Sequence, residues 1–143
     1  MMAEKKKSKN VDKNKKKAKT MQQEREFCSV LYMVPQGTCV KQLAEGLDFL
    51  GREAVEIWTE VNLLEITMEN ATLTFEDMME QLESPADKQL LAKLNVKQVY
   101  ACDYEAADKI MVRKIMETLL EKFGGFLASD TEDFEPFIEP ETL

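Results

Sequence analysis

The chain reads as an α+β protein: a single mixed β-sheet of four to five strands with helices mainly on one face, in a ferredoxin-like (split βαβ) outline. Three observations lead there. Strand-length runs of apolar, β-branched and aromatic residues alternate with stretches of helical periodicity. Turn signals at Pro35-Gln36-Gly37, Glu69-Asn70 and Gly124-Gly125 separate them. A strand, a long helix and a short strand close the chain, as in a right-handed crossover.

The elements follow in order. Glu26 to Val34 is a nearly unbroken run of β-formers, and its lack of alternation predicts a strand covered on both faces. Val40, Leu43, Ala44, Leu47 and Leu50 then recur at helical spacing, with Thr38 as cap and Gly51 as stop. Gly46 weakens that helix by about 1 kcal/mol relative to Ala, which close packing against a neighbour would explain. From Glu53 to Met68 the apolar positions alternate, but Leu63-Leu64 breaks the phase and predicts either a bulge or a turn near Asn62. Glu69-Asn70 is a hairpin turn leading to Leu73 and Phe75. Thr74 and Asp77 have capping-box spacing and predict a short helix through Met78, Met79 and Leu82. Ser84-Pro85-Ala86-Asp87 opens the next helix, which carries Leu90, Leu91 and Leu94 and stops at Asn95.

Val96 to Cys102 predicts a strand, and Asp103 then caps the longest helix, over 104–123. Its expected buried stripe is Ala107, Ile110, Met111, Ile115, Leu119 and Phe123. Gly124-Gly125 ends it, Phe126 to Ser129 is a last short strand, and 130–143 is an acidic segment broken by Pro136 and Pro140.

Charge divides the chain in two. The first 20 residues hold nine lysines against Glu4 and Asp12, a net of +7, so a total of −8 leaves −15 on the rest. Residues 1–23 have no aromatic residue and no apolar period, which predicts a lysine-rich disordered arm ahead of an acidic domain over 24–143. The arm can contact nucleic acid weakly and non-specifically, shield the acidic domain, or act as a solubilising leader; without interleaved aromatics it does not read bases. No apolar run approaches membrane-spanning length and no secretory h-region follows the basic start, so the expected compartment is cytoplasmic, with no membrane partner. Cys28, Cys39 and Cys102 are odd in number and widely spaced, as reduced thiols are. Cys39 is set apart by its place at a helix start, where a thiol pKa can fall.

The chain contains no histidine, which removes Ser–His and Cys–His nucleophile pairs and the commonest metal ligand. There is no CxxC spacing and no phosphate-cradling glycine motif. No catalytic residue, cofactor or metal ligand set is therefore assigned.

Candidate binding residues concentrate in two places. Asp130, Glu132, Asp133 and Glu135, with Glu139 and Glu141, form the densest acidic stretch, but an EF-hand register from Asp130 fails because Glu135 stands where glycine is required. Phe134 and Phe137 lie between those acids, where they suit either an extended docking strip or anchors for the domain's own core. Trp58, the single tryptophan, lies among Glu53, Glu56, Glu60, Glu65 and Glu69. It would anchor a partner if its side of the sheet is open, and the pattern slightly favours core. The expected function is a non-enzymatic interaction module (inhibitor, immunity-type protein or adaptor) presenting an acidic face to a protein with a basic surface. The alternatives are a carboxylate-based divalent-metal site centred on Asp130, Glu132 and Asp133, and nucleic-acid association through the arm.

Overall fold

Five consecutive buried residues, Val30 to Val34, put the first strand, β1 (Phe27–Val34), inside a sheet rather than at its margin. A computed structural model describes residues 26–143, so the predicted arm 1–23 lies outside the described residues. β1 pairs with β5 (Gln98–Glu105) on one side and β6 (Phe126–Ala128) on the other. Beyond β5 come β4 (Thr72–Asp77), β3 (Leu63–Thr67) and β2 (Val55–Trp58); beyond β6 comes β7 (Phe137–Ile138). Among the described residues the fold is α+β, a single open sheet of seven strands in the order β2-β3-β4-β5-β1-β6-β7, with three helices.

This corrects the expected sheet in two respects. It has seven strands rather than four to five, because the phase break at Asn62 divides β2 from β3 and because β7 forms in the proline-broken C-terminal segment. It is antiparallel rather than mixed, because β1 lies between β5 and β6 and keeps those two co-directional strands from pairing.

Alternation along each strand builds two cores. On one face Tyr32, Leu64, Ile66, Leu73, Phe75 and Tyr100 are buried beneath α1 (Val40–Gly46) and α3 (Lys109–Phe123). On the other, Leu31, Met33, Val99 and Ala128 meet Leu91 of α2 (Pro85–Lys93), Val96 and Phe134. Each of the Leu, Ile, Val, Met and Phe side chains among them contributes about 1.5–3 kcal/mol by leaving water.

Local capping decided several boundaries. α1 starts after Cys39, whose N–H donates to Gln42 Oε1 at 2.9 Å, and it stops at Gly46. A Cβ on Gly46 would lie 2.8 Å from the Phe123 ring, so close packing accounts for this glycine. Thr74 and Asp77 belong to β4, not to a capped helix; Asp77 Oδ1 accepts from Met79 N at 2.7 Å and opens only a 3-10 turn, Met79–Gln81. α2 begins as the sequence predicts, Ser84 Oγ accepting from Asp87 N at 3.1 Å. β5 continues through Asp103 to Glu105, so α3 starts only at Lys109 and its buried stripe is Val112, Ile115, Met116 and Leu119. Ile110 and Met111, expected inside, are exposed. No helix among the described residues is long and apolar enough to cross a membrane.

Candidate functional site: the uncovered acidic half of the sheet

α2 and its flanking loops cover the second face over β1, β5 and β6 but leave the β2–β4 half open. The strand registers align Ser29, Asp103, Thr74, Glu65 and Glu56 in one row across β1, β5, β4, β3 and β2. The adjoining row contains Ala101, Glu76, Leu63 and Trp58. At about 4.8 Å per strand the first row spans roughly 19 Å. Glu56, Glu76 and Asp103 are exposed and Glu65 is half-buried, while β1 to β5 contain no lysine or arginine at any position. Glu56 stands directly opposite Glu65, a like-charged pairing that does not favour the sheet. Ser29 Oγ donates to the Asp103 carboxylate.

Trp58 belongs to this site. The pattern favours core, but β2 is an edge strand and, among the described residues, no helix covers its open face, so Trp58 is 44% exposed. Its Nε1 donates to Glu65 Oε1 at 3.2 Å, which lays the indole against the acidic row. Ile57 and Val61 are exposed beside it.

Two polar anchors hold the hairpins that carry the row, and neither was singled out as functional in the sequence. Asn62 adopts φ +52° in the β2–β3 connection, a conformation that asparagine tolerates. Its Oδ1 accepts from Val40 N at 2.9 Å, and its Nδ2 donates to Asp77 Oδ2 at 2.8 Å and Tyr100 Oη at 3.0 Å. Tyr100 Oη in turn donates to the Thr38 carbonyl. Asp108, buried at the start of α3, accepts from Asn70 N at 3.0 Å, Asn70 Nδ2 at 2.8 Å and Ala71 N at 3.0 Å, fixing the β3–β4 turn. The phase break marked Asn62 as a turn, but no local signal paired Asp108 with a turn 37 residues away.

Three buried tyrosines and one buried cysteine are held neutral. Burial, reinforced by neighbouring Cys102, pushes the Tyr32 hydroxyl above its ordinary range. Burial raises Tyr100 as well, partly offset by the hydrogen bond from Asn62. Tyr104 is pushed up to about 12, by burial first and Cys28 second. Burial lifts the Cys102 thiol well above its usual value. Such groups suit a core more than proton transfer near neutral pH. Cys39 is exposed, and Cys28 is half-buried.

The C-terminal candidates lie elsewhere. Phe134 is 2% exposed and packs into the second core, as an anchor of the domain's own structure. Asp133 Oδ1 accepts from Thr131 Oγ1 and from Glu135 N, both at 3.1 Å, closing a tight turn. Asp130, Glu132 and Glu135 are exposed around that turn. Phe137, half exposed, sets its ring 4.8 Å from that of Phe126, and Arg113 Nη2 donates to Leu143 O at 2.9 Å. Among the described residues, no group of three or more His, Cys, Asp or Glu is arranged to hold a metal ion. β7 and β2 are opposite edges of the sheet, six strand steps or roughly 29 Å apart. Trp58 and the 130–137 segment therefore do not form one site.

No family model, no curated protein and no solved structure matches the chain.

Proposed function

We propose that this chain is a non-enzymatic interaction module that binds a basic protein through the open face of β2, β3 and β4, together with Asp103 near the end of β5. The observation that carries the reading is the row Asp103, Thr74, Glu65 and Glu56, continued by Glu76 and Trp58, on strands without a single basic residue. An acid-dominated surface of this kind, with Arg52 alone at the rim beside Glu56 and Glu65, steers a partner of opposite charge and repels phosphates. Trp58 supplies an aromatic anchor at its edge. The central order β4-β5-β1-β6, with α1 and α3 in the connections, supports a split βαβ (ferredoxin-like) core, to which the β2–β3 pair adds the acidic extension. Three free cysteines accord with a cytoplasmic setting.

The test is fluorescence anisotropy with labelled oligolysine and the full chain, at low and at high salt. Binding is expected at low salt and to weaken as salt rises. The combined variant Glu56→Gln, Glu65→Gln, Glu76→Gln, Asp103→Asn is expected to bind about tenfold more weakly, three exposed charges and the half-buried Glu65 each contributing about 0.3–0.5 kcal/mol. Undiminished binding by that variant would sink the assignment of this face.

A further inference from the structure

The way a partner engages this face is written in the edge strand itself. Among the described residues β2 has no neighbour on its outer side, so half of its N–H and C=O groups point away from the sheet. Natural edges are commonly blunted by proline, by lysine or by extreme shortness. The opposite edge shows this protection: β7 is two residues long, with Pro136 before it and Pro140 after it. β2 is Val55-Glu56-Ile57-Trp58, with neither proline nor lysine.

A segment laid beside β2 would direct alternate side chains to the two faces. On the α1 side it would meet a cavity of 360 Å³ with an apolar wall of Ala44, Leu47, Leu50, Val55 and Ile57; Glu45, Asp48 and Arg52 complete its lining. On the open side it would meet Glu56 and Trp58, with Glu65 one strand further in. One edge thus offers an apolar slot on one face and carboxylates on the other.

From this geometry, and resting on the acidic-face reading above, we propose that β2 accepts an extended segment of a basic partner as an eighth strand. Its apolar residues enter the slot between α1 and β2, and the intervening Lys or Arg residues lie over Glu56 and Glu65. Charge complementarity selects this occupant. A second copy of the chain paired through β2 would add one Glu56 face to another and increase the repulsion already present at Glu56–Glu65.

The emission of Trp58, the single tryptophan, reads the edge directly. The full chain is titrated with a peptide of alternating valine and lysine, with the same peptide N-methylated on alternate amides in either register, and with oligolysine. The alternating peptide is expected to bind and shift Trp58 emission. N-methylation, which removes main-chain hydrogen bonds while keeping charge, is expected to weaken it at least about tenfold, and Glu56→Lys is expected to weaken it as well. Equal binding of the methylated peptide overturns strand addition. So does binding of oligolysine without binding of the alternating peptide, and in both cases the acidic-face reading stands. Failure of both unmethylated probes overturns the two proposals together. A dimer in sedimentation velocity that Ile57→Glu dissociates gives the edge to a second copy and overturns the inference.

Discussion

Reversing one charge in the acidic row should make the domain more stable while making it a poorer binder. Glu56 and Glu65 are directly opposed across β2 and β3. Opposed Cβ atoms lie about 4.5–5.5 Å apart, which sets the two carboxylates roughly 6 Å from each other. Like charges at that separation repel by about 0.7 kcal/mol in bulk water and by about 1.4 kcal/mol at half that dielectric constant. Glu56→Lys replaces the repulsion by an attraction across the same pair. Exposure and side-chain entropy reduce the gain to about 1 kcal/mol, or about 3–5 °C in Tm for a domain of this size. Glu56 is the position to change, because Glu65 also accepts the Trp58 hydrogen bond. Thermal unfolding followed by circular dichroism, at low and at high salt, measures the effect. The gain should be largest at low salt and shrink as salt screens the pair. An unchanged or lower Tm at low salt, or a gain indifferent to salt, would refute the claim that these carboxylates are held against the interest of the fold.

Three other outcomes are expected. Asp108→Ala should cost about 2–3 kcal/mol by removing three charge-assisted bonds, the exposed Asn70 recovering part of its share from water, and urea unfolding checks it. Phe134→Ala should lose about 3 kcal/mol from the second core yet leave oligolysine binding unchanged; a selective loss of binding would return the C-terminal segment to the interface. Tyr104, whose pKa rises from 10 to about 12 in the folded chain, contributes stability that is fully present below pH 10 and is lost as pH rises through about 12. Tyr32 and Tyr100 shift in the same direction, so tyrosinate absorbance should appear together with alkaline unfolding. Tyrosine ionisation near pH 10 with intact circular dichroism would contradict that burial.

Strand and helix order were legible because most elements carry their own punctuation. Pro35-Gln36-Gly37 follows β1, Ser84-Pro85 opens α2, and Gly124-Gly125 reverses the chain after α3 with φ of +77° and +87°. What was not legible depends on contacts distant in sequence. Asp103 looks like a helix cap, yet pairing with Ser29 on one side and Thr74 on the other keeps it in β5 and delays α3. That delay leaves Ile110 and Met111 in the first turn of α3, where they are exposed, while Ile115 and Leu119 of the expected stripe are buried. Trp58 could not be assigned from its neighbours, because its exposure follows from β2 ending the sheet and from α2 covering the other half. The sequence showed how much acid surrounds the central strands; the register that aligns Glu56, Glu65 and Asp103 arises only from the assembled sheet.

Amide chemical-shift mapping of the full chain during titration with oligolysine reads out the proposed binding surface, the open acidic half of the sheet. The shifts should concentrate on Glu56, Trp58, Glu65, Thr74, Glu76 and Asp103, and should fade at high salt. Shifts confined to residues 130–141, or none at low salt, would contradict it.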